Sequence, residues 1–355
     1  MITAHTGSRV ALLPYPLKRL TNFGWYGVQL FFLMSCVTLL LSWHSEERKG
    51  GVDLRAFWVR RFFRIAPLYY LAAAAYFVID RPMAGFDLRQ LLASLAFVNA
   101  WYPTLIPTTP TGWTVVPGGW SIGVEFTFYA LFPLVARYLR SLRSALGFLA
   151  LTLPASILAN MGARAWLHGR FDDPSTTQFL FYWFPNQLPV FALGVVLFHA
   201  LGRPKITLLA RLQPLVLLLC GAGGIVAAEA HLPKIWGYNA GLLPPASLVA
   251  SCLFAAAALT LASGPGSLLV NRAIRALGTV SFSAYLTHFA VLEMLSRQFD
   301  LSGSSLLVTA AFAALWLATV SVTYGVSWAL YRWVEAPMID RGRRFFKPAA
   351  LPTGA

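Results

Sequence analysis

Glu125 stands in the run Trp120-Ser-Ile-Gly-Val-Glu-Phe-Thr-Phe-Tyr-Ala-Leu-Phe-Pro133, which is otherwise apolar and aromatic. A carboxylate in such a run is costly, about 2.5–3.5 kcal/mol at a bilayer centre. Two roles are open to it: an ion pair with an arginine of a neighbouring helix, or work as a general base or acid. Trp120, Phe126, Phe128 and Tyr129 around it would exclude water or offer a stacking surface to a sugar ring. Upstream, Arg60-Arg61-Phe-Phe-Arg64-Ile-Ala-Pro67-Leu-Tyr69 forms a basic knot at the mouth of another apolar segment. Its arginines would either anchor that segment by snorkelling to lipid phosphates or grip a phosphate-bearing ligand through forked contacts. Arg61 and Arg64, three apart, share one helix face, so one can turn inward while Arg60 stays at the interface.

The other reactive side chains are sparse. Of six histidines, His44, His168, His199 and His231 fall in or near loops. His288 closes Ser281-Phe-Ser-Ala-Tyr-Leu-Thr-His288 inside an apolar segment, where packing and catalysis are both open to it. His5 sits near the start in no recognisable element, and composition does not single it out. Cys36, Cys220 and Cys252 lie in apolar segments and imply neither a disulfide framework nor a metal site. No metal-ligand spacing, glycine-rich phosphate loop or Ser–His–Asp order is visible.

The elements that must position these groups are membrane helices. The chain is 57% hydrophobic and 12% charged, against about 25% charged for a soluble domain. Residues 235–271, 301–331 and 90–124 contain no Asp, Glu, Lys or Arg, and a run of about 18 such residues suffices to span a bilayer. The expectation is an all-α, polytopic transmembrane bundle with spans near 24–43, 65–79, 120–138, 144–161, 178–200, 210–229, 241–262, 276–295 and 305–331. Residues 90–119, crowded with prolines, read as a partial insertion and an irregular loop, tolerated where it lines a cavity. With 44–64 in the cytoplasm and strict alternation, the inner segments hold 19 of the 28 Lys and Arg, as positive-inside topology requires. The same rule accounts for the net charge of +15 without nucleic acid. Only residues 1–21, placed outside yet carrying Arg9, Lys18 and Arg19, run against it. They contain no signal-peptide pattern, and a further helix before Met1, with Met1 to His5 as its outer end, would restore the alternation.

In this order the landmarks resemble the acyltransferase-3 family of integral membrane acyltransferases, which includes O-antigen and exopolysaccharide O-acetyltransferases. Gly24-Trp-Tyr-Gly27-Val-Gln-Leu-Phe-Phe-Leu-Met-Ser35 is similar to its second-helix signature, Arg60 to Tyr69 to its arginine-rich start of the third helix, and Trp120 to Pro133 to its tryptophan–serine…glutamate segment. Leu277 to His288 and Trp333-Val-Glu335-Ala-Pro337 resemble its late landmarks. The resemblance covers nearly the whole chain and departs from the pattern at Cys36, where glycine is usual, and at Gln29, where an acid is usual. It implies about ten helices, nine of them here, in one domain over 1–346 followed by a short disordered cytoplasmic tail over 347–355. It also implies a functional histidine at the end of the first helix; His5 alone matches it, and the partner arginine has no match.

The resemblance implies transfer of an acetyl or other short acyl group in a bacterial inner membrane. Acetyl-CoA or another acyl-CoA would be the donor substrate, its phosphates held by Arg60, Arg61 and Arg64, with no bound cofactor and no metal. His5 and Glu125 would be catalytic, and Trp120, Ser121, Tyr129 and His288 would contact the acceptor, a hydroxyl of a glycan or lipid-linked sugar. A glycolipid transporter or flippase, or acylation of a small diffusible product such as a macrolide, are the alternatives.

Overall fold

The structure, a computed structural model, describes residues 1–80, 85–106, 113–202, 212–229, 245–263, 270–299, 301 and 303–345. All regular structure among them is helical. The helices are α1 (Ile2–Arg9), α2 (Tyr15–Phe23), α3 (Gly27–Glu47), α4 (Leu54–Asp80), α5 (Leu88–Leu95), α6 (Trp120–Tyr138), α7 (Leu142–Leu167), α8 (Asp173–Tyr182) and α9 (Phe184–Leu201). They continue with α10 (Gln213–Glu229), α11 (Pro245–Ser263), α12 (Arg272–Thr279), α13 (Ser281–Ser296), α14 (Ser305–Leu330) and α15 (Ala336–Arg344).

Among the described residues, five helical stretches are long and apolar enough to cross a membrane: Tyr15–Glu47, Leu54–Asp80, Leu142–Leu167, Asp173–Leu201 and Ser305–Arg344. They contain five of the nine expected spans. The expected 276–295 is interrupted at Val280, between α12 and α13. The expected 178–200 is broken at Trp183, whose backbone is extended; Pro185, without a donor N–H, starts the next helix instead of continuing the last. The tail over 347–355 and the loop over 203–211 lie outside the described residues. His5, which the sequence leaves without an element, falls in the middle of α1.

Local capping explains a second difference. The Asp53 carboxylate accepts the backbone N–H groups of Arg55 (2.8 Å) and Ala56 (3.3 Å), so α4 starts well before residue 65. Arg60, Arg61 and Arg64 therefore lie on the helix, not ahead of it.

The core forms around α6, where Phe128 and Phe132 pack with Phe32 of α3 and Phe191 of α9, all four fully buried. Phe128 and Phe191 stack with ring centroids 4.0 Å apart. Where α3 meets α9, Gly194 faces Cys36: a Cβ on Gly194 would fall 2.7 Å from the Cys36 Cβ and 2.9 Å from the Leu33 carbonyl oxygen. Small residues of this kind let membrane helices close up. A glycine on α9 thus makes room for the cysteine that stands on α3.

The expected insertion is tied to α6 at two points. Phe97, in a left-handed conformation (φ 60°) that non-glycine residues seldom adopt, stacks on Phe126 with centroids 3.8 Å apart. The Trp101 indole donates to Thr127 Oγ1 at 2.9 Å. At the other end of the chain, α14 widens into a π turn over Tyr331–Glu335. Pro337 cannot donate to the carbonyl four residues back, and such widened turns recur at functional sites. This one points Glu335 inward, 2% exposed, where Ser283 Oγ donates to its Oε2 at 2.7 Å.

Candidate active site

Glu125, in the second turn of α6, is 2% exposed. Its Oε1 accepts two hydroxyls, Ser35 Oγ of α3 and the Tyr129 OH one turn further along α6, each at 2.5 Å. Its Oε2 is buried without a partner. The ion pair that the sequence left open does not form among the described residues, although Arg61 and Arg64 lie within electrostatic range. A carboxylate held by one oxygen, with the other unsatisfied, can take a proton or orient a ligand hydroxyl. Tyr129 is itself buried beneath it and lines neither cavity described below.

One turn before Glu125, Ser121 Oγ lies 2.8 Å from the Tyr285 OH, and both hydroxyls meet the Gly118 carbonyl (3.0 and 2.9 Å). Gly118 has φ +76°, and a Cβ there would fall 2.6 Å from the Tyr285 hydroxyl, so the turn requires glycine. Tyr285 leads to His288 one turn on, with ring centroids 6.0 Å apart. His288 Nδ1 donates to the Ala284 carbonyl at 3.0 Å, which leaves Nε2 as its acceptor nitrogen. That Nε2 is buried and has no partner.

His5 faces His288 with centroids 5.3 Å apart and packs edge-on against Trp25 (4.6 Å) and Phe289 (4.4 Å). Its Nε2 is likewise buried and unpartnered. His5 forms part of the wall of two cavities. The larger, of about 860 Å³, is also lined by Trp25, Trp120, Tyr182, Gln90, Asn99 and Gln178. The smaller, of about 690 Å³, is lined by Arg9, Tyr76, Asp80, Glu293 and Arg297, with Arg9 and Arg297 both paired to Glu293. Trp120 packs at a tilt against Tyr182, ring centroids 4.5 Å apart, and both line the larger cavity. The structure thus gathers His5, His288, Ser121 and Trp120 at one end of the bundle. It joins Glu125 to Tyr129 and Ser35, and no hydrogen bond or ring contact links Glu125 to His5 among the described residues.

The three arginines separate. Arg60 Nη2 is bound to Glu46 Oε2 at 2.6 Å. The Arg61 guanidinium lies over the Phe57 ring, 5.7 Å from its centroid, with a buried, unpartnered Nε. Arg64 is exposed and within electrostatic range of Glu335 as well as Glu125. Gln29, where the resemblance has an acid, is buried with its amide oxygen unpartnered. Among the described residues no group of three or more His, Cys, Asp or Glu side chains could hold a metal ion.

Tyr285 and Ser35 belong to the site although the sequence alone gives them no role. Both fall inside runs already marked by His288 and the second-helix signature, three residues before the histidine and at the signature's last position.

Long apolar helices that bring one imidazole with an unpartnered nitrogen to the wall of two cavities, with a second packed behind it, place the chain in the class of multi-pass helical membrane enzymes. The pattern of the acyltransferase-3 family, described as an acyltransferase domain, matches residues 1–332, and the chain belongs to that family. It is 28% identical to the acyltransferase MdmB of Streptomyces mycarofaciens, over 92% of this chain and 84% of that one. It is 27% identical to the exopolysaccharide production protein ExoZ of Rhizobium meliloti, over 91% and 92%. With the peptidoglycan O-acetyltransferase OatA of Listeria monocytogenes it shares 22% over 94% of this chain, which is about half (54%) of that protein. No solved structure matches. The protein is a membrane O-acyltransferase, with an acyl donor and an acceptor as its substrates.

Proposed function

We propose that the protein moves an acetyl or other short acyl group from cytoplasmic acyl-CoA to a hydroxyl of an envelope or exported glycan. The observation that carries this reading is His5, a half-buried imidazole whose Nε2 is buried and unpartnered, on the wall shared by two cavities. The acceptor hydroxyl gives its proton to His5 as its oxygen bonds to the acyl carbon. The carbon–sulfur bond breaks, and the thiolate leaves with the proton that His5 returns. His288, whose Nε2 is its free acceptor nitrogen, steadies the tautomer of His5 or the acceptor hydroxyl. Aromatic faces at Trp25, Trp120 and Tyr182 and amides at Gln90 and Gln178 suit a sugar ring.

Arg61 and Arg64 hold the donor's phosphates, Arg60 being engaged by Glu46, and Glu125 orients the reacting groups between the two ends. The reading includes nine spans in one domain over 1–346 of a bacterial inner membrane, with 44–64 on the cytoplasmic side. A glycan acceptor is supported by two relatives, an exopolysaccharide production protein and a peptidoglycan O-acetyltransferase.

The test uses membranes carrying the full chain, radiolabelled acetyl-CoA and extracted envelope glycan. Label should enter the glycan, and His5→Ala at equal membrane level should lower it by about 10²-fold or more. Label found only in a small extractable product would move the acceptor to that class. Glycolipid translocation without any label would replace transfer by transport.

A further inference from the structure

A third cavity, of about 630 Å³, opens between the ends of α3 and α6 and is lined by Trp43, His44, Glu47, Arg48, Arg137 and Arg140, with Gly51 and Val52 closing it. Arg140 Nη2 is bound to Glu47 Oε1 at 2.8 Å. Arg48 and Arg137 make no side-chain hydrogen bond or ion pair with the described residues. Each helix end carries about half a negative charge, so three arginines against Glu47 and two helix ends leave the cavity net positive by about one charge. Trp43, 7% exposed, has a buried indole N–H without a partner. Free guanidinium groups and an unused neutral donor around one cavity fit a phosphate carrying two negative charges.

The cavity adjoins the arginines of α4. Consecutive residues of α3 meet different partners, Glu46 pairing with Arg60 of α4 and Glu47 with Arg140. Trp43 packs edge-on against Phe57 at 5.9 Å, the ring over which Arg61 lies. A ligand with phosphates at two places could therefore straddle the end of α3.

We propose that this cavity is a phosphomonoester subsite that takes the 3′-phosphate on the adenosine end of the acyl-CoA donor, while Arg61 and Arg64 take its pyrophosphate. The assignment rests on the acyl-CoA reading above. An anionic lipid headgroup offers the same chemistry, and the experiment separates the two.

The full chain in neutral phosphatidylcholine nanodiscs is titrated with adenosine 3′,5′-bisphosphate and with adenosine 5′-monophosphate. The bisphosphate should bind about tenfold tighter, the effect of one additional charge-assisted hydrogen bond. Arg48→Ala and Arg137→Ala should each remove that difference and leave the monophosphate unchanged. Trp43→Phe, which keeps an aromatic ring and loses the indole N–H together with the pyrrole ring, should narrow the difference, and unchanged monophosphate binding by all three variants guards against misfolding. Equal binding of the two nucleotides, or a preference untouched by all three variants, would overturn the subsite. So would loss of the bisphosphate preference in phosphatidylglycerol nanodiscs, which assigns the cavity to lipid. Acetyl transfer is followed in the same samples. Bisphosphate preference without transfer from acetyl-CoA sinks the donor reading and keeps the subsite, while transfer without preference does the reverse.

Discussion

Glu125 has one oxygen that holds two hydroxyls and one that holds nothing, and substitutions can tell those oxygens apart. Glutamine keeps a carbonyl oxygen to accept from Ser35 and Tyr129 and removes the charge and the basic site. Glu125→Gln should therefore reach wild-type levels in the membrane while acyl transfer falls by about 10²-fold. Glu125→Ala strands both hydroxyls, each at about 1–3 kcal/mol, and should lower the melting temperature as well. Transfer by Glu125→Gln close to that of the wild type would reduce the carboxylate to a structural acceptor. Only the Tyr129 partnership is local, four residues along the same helix. The sequence marks Glu125 as costly, but Ser35 stands 90 residues away. His5 is legible only through the resemblance, because what sets it apart is the opposed His288 ring, 5.3 Å away and nearly the whole chain distant.

At the scale of elements, apolar length marks the spans, and the structure departs from it where one backbone donor decides. A continuous apolar run hides the break at Trp183, which Pro185 imposes, and a charged run hides the early start of α4, which Asp53 imposes. The packing of α3 on α9 depends on a glycine whose importance only its partner shows. Gly194→Ala would drive a Cβ into Cys36 and the Leu33 carbonyl, so α3 and α9 must separate, at about 1–3 kcal/mol. Cys36→Gly removes one of those two obstacles. The double variant should then melt above Gly194→Ala alone, recovering part of the loss, since the two sites touch and their effects cannot add. Strictly additive melting shifts in detergent would show that the helices do not meet at this point. The departure at Cys36 and the glycine at 194 are on this view one compensated pair.

Across the whole molecule, loop charge and cavity position tell the same story independently. The loops that charge counting puts outside, around residues 80, 90–106, 113–119 and 173, converge on the two cavities at His5. The segments it puts inside, 44–64 and 137–143, supply Arg60 with Glu46, and the cavity of Arg48, Arg137 and Arg140. The proposed transfer from a cytoplasmic acyl donor to an exported acceptor needs such a division, with Glu125 in the stretch between. Cysteine labelling in sealed cells tests it directly. Cys36, Cys220 and Cys252 are first replaced by serine or alanine. Asp173→Cys, at a side chain 87% exposed, should then react with an impermeant maleimide added from outside. Lys49→Cys, at an exposed position beside the third cavity, should react only after the membrane is opened. The opposite pattern would place His5 on the donor's side and Arg61 on the acceptor's, and the direction of transfer proposed here would have to be reversed. Labelling of both from outside would mean that α3 to α8 do not alternate, and would remove the charge argument for nine spans.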